Sequence, residues 1–212
     1  NRDDYVAANI SVIKQDGTVD VNRGTEIRGR GNSTWSMPKK PYRLKLNNAA
    51  SILGFPADRD WVLLANYSDK TLLRTKLAFA TSAEMGMEYS PRSTHVELFL
   101  NGVYQGNYQF GEHMKVAPGR VNVIEMSDSD DAGDNLTGGY FLELDERLDE
   151  EFWFRTSRRI PFTMKNPDEP TTNQYNYIKS YVQQLEDALF SATFTDPENG
   201  YKKYMDIESF IK

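Results

Sequence analysis

The hydrophobic pattern of this 212-residue chain changes its period along the sequence, and this change limits the folds that the chain can adopt. From Tyr42 to Leu46 apolar and basic residues alternate strictly, which is the pattern of a strand that buries one face. From about Thr172 to Leu189 apolar residues recur at helical spacing instead. Because most of the predicted strands precede the helices, the order of elements predicts an α+β fold.

A β-hairpin is the most specific local prediction in the strand-rich part. Two apolar runs, at residues 95–100 and 103–110, are separated only by Asn101-Gly102. This dipeptide strongly favours a two-residue hairpin turn, because both of its residues adopt positive φ readily. Further strands are predicted at residues 6–13, 42–46, 61–64, 140–144 and 161–165.

One helix is predicted inside the strand-rich part, from about Lys70 to Met85. Ser68 or Asp69 is a suitable N-cap for this helix, and Gly86 is a suitable stop after its last turn. Helical spacing places three apolar side chains on one face, which we expect to pack against the core: Leu73, Leu77 and Ala80.

Composition excludes several classes of function. The formal net charge is −6, which argues against nonspecific nucleic-acid binding, because such binding needs a basic face. No apolar run approaches the roughly 20 residues of a transmembrane helix, so no transmembrane segment is predicted. The chain has no cysteine, which excludes disulfide bonds and thiolate metal sites.

A short glycine-containing run, residues 29–34, is the first candidate for chemistry and is called the glycine loop below. Main-chain N–H groups of such a loop can converge on an anion, and flanking arginines add donors. An ordinary surface turn is the alternative that this run leaves open. The residues predicted here to bind phosphate are Arg28, Gly29, Arg30, Gly31, Asn32, Ser33 and Thr34.

Two further basic residues follow the glycine loop. Lys45 lies on the next predicted strand, in the order that protein kinases use for the lysine that binds nucleotide phosphates. Arg74 lies near the start of the predicted helix and is expected to contact phosphates. The alternatives are a solvated sheet face for Lys45 and an ion pair with Asp69 for Arg74. The only glutamate of this helix, Glu84, lies near its end, so the lysine–glutamate pair of kinases is not evident.

Acidic residues at strand ends form the last group of candidates. Glu112 follows the second strand of the predicted hairpin and is predicted to lie at the nucleotide. Glu143 and Asp145 share one face of a strand, which suits a divalent cation or an ion pair with Lys45 or an arginine. Glu143 is the predicted metal ligand, and simple solvation of both carboxylates is the alternative. His113, beside Glu112, is expected to be structural rather than to bind a base.

Five sequence blocks follow one another at residues 27–35, 38–46, 64–74, 96–106 and 138–143. The first two, IRGRGNSTW and PKKPYRLKL, are the most distinctive and lie close together. In this order the blocks resemble the CotH (spore coat protein H) kinase-like family. The similarity runs from about residue 24 to the end of the chain.

This resemblance implies an atypical protein-kinase-like fold that holds ATP and a divalent cation, Mg or Mn, between two lobes. It implies a strand-rich nucleotide-loop lobe at about residues 1–125 and the start of a second lobe at about residues 138–212. The catalytic aspartates of the family are expected beyond Lys212, so no residue here is assigned a catalytic role. A protein acceptor and an exported or cell-surface location in a bacterium are also implied.

A noncatalytic role is the alternative function. A surface or cell-envelope module that binds a protein or glycan partner would account for the missing helix glutamate. Three aromatic residues are candidate contact groups for such a partner: Trp35, Tyr104 and Trp153.

Overall fold

The computed structural model describes all 212 residues and divides into two compact units, residues 1–114 and 115–212. Strands dominate the first unit, and the second combines a small sheet with helices. The predicted α+β fold is confirmed. The lobe boundaries expected from the resemblance stay predictions.

A six-stranded antiparallel sheet forms the first unit. Its strand order is β1-β2-β3-β4-β6-β5, so neighbouring strands follow one another along the chain except where a helix separates β4 from the last hairpin. The elements are β1 (Val6–Ile13), β2 (Val19–Gly29), β3 (Tyr42–Ile52), β4 (Phe55–Leu64), α1 (Arg74–Glu84), β5 (Ser93–Leu100) and β6 (Val103–Glu112).

The sheet follows the local sequence signals closely. Leu44 and Leu46 are buried in β3, as their alternation with basic residues predicts. The turn between β5 and β6 consists of Asn101 with φ +50° and Gly102 with φ +79°, which confirms the predicted hairpin. Much of β2 was not predicted, because polar residues interrupt its apolar pattern.

The core of the first unit is built around Trp61 of β4. Its side chain is fully buried, and its ring stacks on that of Phe110 with centroids 5.2 Å apart. The Trp61 indole N–H donates a hydrogen bond to the carbonyl of Asp58 at 3.0 Å, so its polar atom is satisfied. Side chains of β3, β4 and β6 all contribute to this core, so close packing holds these three strands together.

Helix α1 differs from its prediction in both its start and its buried face. It begins at Arg74 rather than near Lys70, because Leu72 has φ +60°, a conformation that a helix cannot include. Leu73 and Leu77 are 57% and 66% exposed, so the predicted inward stripe, Leu73, Leu77 and Ala80, is wrong.

Polar contacts set the orientation of α1 in place of apolar packing. The Lys76 ammonium donates to the carbonyl of Ser93, and the His95 ring nitrogen Nε2 lies 3.0 Å from the carbonyl oxygen of Leu72. The helix side chains that are at least partly covered are Thr75, Lys76, Phe79 and Ser82.

The second unit contains a three-stranded antiparallel sheet and a long helix. Its small core consists of Phe154, Met164 and Ile178. The helix spans the predicted residues, and Thr171 and Gln174 form a capping box at its start. The elements of the second unit are β7 (Phe141–Leu144), β8 (Trp153–Arg155), β9 (Pro161–Asn166), α2 (Thr172–Leu189) and α3 (Ile207–Ile211). The order of strands in its sheet is β7-β9-β8. None of the helices combines the length and hydropathy that a bilayer-crossing helix requires.

The corrected orientation of α1 predicts unequal effects of two leucine truncations. Leu46→Ala should lower the free energy of unfolding by about 2–5 kcal/mol, because it leaves a cavity in a fully buried site. Leu77→Ala should change it by less than about 0.5 kcal/mol, because the side chain is exposed. Urea unfolding followed by tryptophan fluorescence measures both. A large loss of stability in Leu77→Ala would contradict the observed orientation of the helix.

Candidate functional site

A cavity of about 320 Å³ lies in the first unit, between the glycine loop and the segment that follows β4. It is called the basic pocket below. Apolar side chains line part of it, and the remainder consists of hydroxyl, amide and charged groups. Its lining residues are Arg30, Thr34, Met37, Lys39, Pro41, Leu64, Ala65, Asn66, Tyr67, Ser68, Asp69, Arg74 and Thr75.

The glycine loop forms one wall of the basic pocket. Gly31 has φ +86°, and a Cβ there would overlap with the hydroxyl of Thr34, so only glycine fits. After it the chain forms one turn of 3₁₀ helix, Ser33–Ser36. The Trp35 amide closes this turn by donating to the carbonyl of Asn32 at 3.1 Å.

Two hydrogen bonds hold the start of the loop. The amide of Gly29 donates to the carbonyl of Asn1 at 2.8 Å, and that of Arg30 donates to the carbonyl of Pro41 at 3.1 Å. These contacts fix the start of the loop without using the amide of Thr34, the one residue among 31–34 that lines the pocket.

Arg30 brings the first positive charge to the pocket. Burial is the main cause that lowers the pKa of its guanidinium, and the nearby charges of Arg43 and Arg28 lower it further. Arg28 and Arg43 are directly opposite each other on β2 and β3, an arrangement of like charges that is unfavourable by itself. Arg43 is paired with Asp60 at 3.0 Å. The concentration of guanidinium groups favours binding of an anion nearby.

Lys39 brings the second charge, from the segment between the glycine loop and β3. Its ammonium donates to the carbonyl of Asn107 and lies 4.3 Å from the centroid of the Tyr108 ring. Burial lowers the pKa of Lys39, although the carboxylate of Glu97 acts in the opposite direction. The side chain is thus fixed against β6 at the edge of the pocket.

The opposite wall is the segment between β4 and α1. Asn66 has φ +46° and donates through its side-chain amide to Gln109 Oε1 at 2.8 Å. The Asp69 carboxylate accepts from the amides of Arg74 at 2.8 Å and Thr71 at 3.0 Å. It therefore ties the start of α1 to the loop that precedes it.

Asp69 is the only carboxylate among the lining residues, and its charge is engaged by main-chain donors. The guanidinium of Arg74 approaches it only to 3.8 Å and its side chain is 85% exposed, so their ion pair is weak. Three cations, Arg30, Lys39 and Arg74, therefore face one carboxylate that is already satisfied. The pocket is electropositive in a chain whose net charge is −6.

The structure brings together only part of the predicted nucleotide site. Arg30, Thr34 and Arg74 line the basic pocket, together with Lys39, which was not predicted. The other loop residues, Gly29, Gly31, Asn32 and Ser33, shape the wall without lining the cavity. Arg28 points to the N-terminal residues, where Nη1 donates to the carbonyl of Arg2 at 3.0 Å.

Lys45 and Glu112 lie outside the lining of the basic pocket. Lys45 is half-buried on β3, with Glu26 and Asp60 as its cross-strand neighbours. Glu112 is buried and accepts hydrogen bonds from Arg92, including one from Nη2 at 2.6 Å. Its carboxylate is therefore held in a structural ion pair, and its contact with a nucleotide stays a prediction.

The predicted metal ligand Glu143 lies in the second unit. Its carboxylate is 3.4 Å from the ammonium of Lys165, and that of Asp145 is paired with Arg147 at 2.7 Å. No group of three or more acidic or histidine side chains is placed to hold a metal ion. Glu143 is thus paired with Lys165, and Asp145 has the arginine partner that was the alternative. A metal role for Glu143 stays a prediction.

The role of Asp69 predicts a pH dependence of the pocket wall. Its hydrogen bonds, the strongest from the Arg74 amide, lower the pKa of its carboxyl below the ordinary value of 3.8. The stabilisation is therefore present above pH 3.8 and is lost as the pH falls through the lower pKa of the folded state. In NMR, the amide signal of Arg74 should titrate with a midpoint below 3.8, and this titration should vanish in Asp69→Asn. A midpoint at or above 3.8 would show that these hydrogen bonds do not favour the ionised form.

Comparison with known proteins identifies the family of the chain. A family model described as CotH kinase protein matches residues 27–212, which include the glycine loop and every residue that lines the basic pocket. A search of curated proteins finds no match to the chain. Because the family model covers most of its length, the chain belongs to the CotH kinase family.

Proposed function

We propose that the basic pocket binds the phosphate groups of ATP, as part of a CotH-type domain that transfers a phosphoryl group to protein side chains. The observation that carries this proposal is the excess of three cations over one satisfied carboxylate around a glycine loop. A phosphate chain is multiply charged and needs donors of this kind, and the kinase-like family supplies the choice of a nucleotide.

Each group has a distinct role in the proposed site. Arg30 and Arg74 suit paired contacts with phosphate oxygens, because a guanidinium presents several donors in one plane. Lys39 contributes a compact positive charge at the edge of the pocket. Thr34 adds its hydroxyl and its main-chain amide. A volume of about 320 Å³ is at the lower end for small-molecule sites, which fits a phosphate chain with the base extending outward.

Positioning and electrostatics would be the contribution of these residues to catalysis. Phosphoryl transfer has a loose transition state with negative charge spread over the phosphate oxygens. Fixed cations and main-chain donors stabilise that charge without reorganising during the reaction. The first unit thus binds the phosphates and stabilises their charge, and none of the residues described is assigned as a general base.

A divalent cation, Mg or Mn, belongs to the proposal only as a companion of the nucleotide. Mg²⁺ in kinase sites is held largely by substrate phosphates together with one or two carboxylates. The chain gathers no group of metal-ligating side chains, so no role in the reaction is proposed for the metal. Lys45 remains a proposed phosphate contact and Glu143 a proposed metal ligand, and Lys45→Met is part of the test below.

The noncatalytic alternative receives less support from the aromatic residues that motivated it. Trp35 packs against Gly29, where a Cβ would overlap with its ring, and the Lys40 ammonium lies 5.3 Å from its ring centroid. The ring of Trp35 therefore packs against the glycine loop. Tyr104 and Trp153 are exposed and keep a surface-binding role open. In either case we propose an exported or cell-surface protein, in agreement with the spore-coat association of the family.

Calorimetric titration with ATP and MgCl₂ tests the proposed site. Lys39→Met and Arg30→Met should each weaken ATP binding by about tenfold or more, because each removes a charge-assisted hydrogen bond worth about 1.5–3 kcal/mol. Binding should also weaken with added salt. Lys14→Met, on the β1 edge of the sheet and paired with Asp20, is the matched control and should bind like the unsubstituted chain.

Two outcomes would change the assignment. Equal affinity of Lys39→Met and the control would remove the basic pocket from the nucleotide site. A loss confined to Lys45→Met would instead favour the lysine on β3 that the sequence order indicates. If the unsubstituted chain binds no nucleotide under any of these conditions, the surface-module alternative is preferred.

A further inference from the structure

The first five residues, called the N-terminal segment below, lie outside the residues that match the family and yet contact the glycine loop. The carbonyl of Asn1 accepts a hydrogen bond from the Gly29 amide at 2.8 Å. The guanidinium of Arg2 donates from Nη1 to the carbonyl of Gly31 at 3.3 Å and to Asn32 Oδ1 at 3.4 Å. Main-chain and side-chain groups of the segment thus reach both glycines of the loop.

The segment also binds Arg28, at the end of β2. Arg28 donates to the carbonyl of Arg2 at 3.0 Å, and its guanidinium carbon lies 4.9 Å from the centroid of the Tyr5 ring. A cation over an aromatic ring is held by electrostatic attraction. Arg28 is therefore directed to the segment, and Arg30 is the arginine of this region that lines the basic pocket.

Hydrogen bonds inside the N-terminal segment define its conformation. Asn1 Oδ1 accepts hydrogen bonds from the amides of Asp3 at 3.2 Å and Asp4 at 2.9 Å. Its side-chain amide donates to the Asp4 carboxylate at 2.9 Å. These contacts bend the backbone so that the carbonyls of Asn1 and Arg2 face β2 and the loop.

We propose that the N-terminal segment holds the glycine loop in the conformation that binds phosphate, with Arg2 as a positioning residue. This inference rests on the proposed nucleotide site. The contacts engage the Gly29 amide and the Gly31 carbonyl, and they leave Arg30 and Thr34, the loop residues that line the pocket, available to the ligand. The segment itself contributes no lining group to the pocket, so it acts through the loop.

Two measurements on the 212-residue chain and its variants test this role. Arg2→Ala, and separately removal of residues 1–4, should speed hydrogen exchange of the Arg30 and Trp35 amides without nucleotide by about fivefold or more, since the hydrogen bonds that protect these amides open more often. The same variants should bind ATP about fivefold or more weakly. Arg2→Lys keeps one donor for the Gly31 carbonyl and should recover much of the affinity.

Arg23→Ala is the matched control, because Arg23 lies on β2 away from the glycine loop and its side chain donates to the carbonyl of Ala49 at 3.5 Å. It should leave both loop exchange and ATP affinity unchanged. Unchanged exchange in Arg2→Ala and in the shortened chain overturns the proposal. Faster exchange with unchanged ATP affinity overturns the positioning role while the nucleotide site stands. If the unsubstituted chain binds no ATP, the proposed function fails, and the exchange data still show whether the segment holds the loop.

Discussion

The carboxylate of Asp69 determines the electrostatic character of the basic pocket. By accepting hydrogen bonds from the amides of Thr71 and Arg74, it anchors the first turn of α1 to the segment that follows β4. The same hydrogen bonds engage the only negative charge in the lining. Arg30, Lys39 and Arg74 outnumber this single carboxylate of the lining, and the pocket attracts an anion even though the chain as a whole is acidic.

The rigid sheet gives these charges fixed positions. Arg30 follows β2, Lys39 precedes β3 and is fixed against β6, and the Asp69 segment follows β4. These strands are joined through the core around Trp61, so the walls of the pocket move little relative to one another. A preorganised set of donors is what phosphoryl transfer requires of a protein, because the reaction depends mainly on positioning and charge stabilisation.

Local signals in the sequence predicted much of the fold. The turn chemistry of Asn101-Gly102 and the alternation around Leu44 identified strands, and the apolar spacing of α2 gave its limits. Each of these signals depends only on residues that are close together in the sequence. The orientation of α1 was not predictable in this way. Helical spacing identifies a common face for Leu73 and Leu77, but polar contacts of its other face with the sheet decide which side is covered.

The candidate site was predicted in part for the same reason. The glycine loop with Arg30 and Thr34 was identified because its residues are consecutive, and Arg74 because it begins a helix. Lys39 was missed although it lies in the distinctive PKKP run. Its place depends on contacts with Asn107 and Tyr108, almost 70 residues away in the chain. Strand order alone favoured Lys45, which points to the same sheet face as Arg43 and lies outside the pocket lining.

The most direct test of the central claim is an NMR map of the chain during titration with ATP. The largest shifts of amide signals should fall on residues 31–34 and on residues 66–75, the two walls that carry the proposed phosphate contacts. Shifts confined to other surfaces of the first unit, or to the second unit, would contradict the assignment of the basic pocket as the site that binds phosphate.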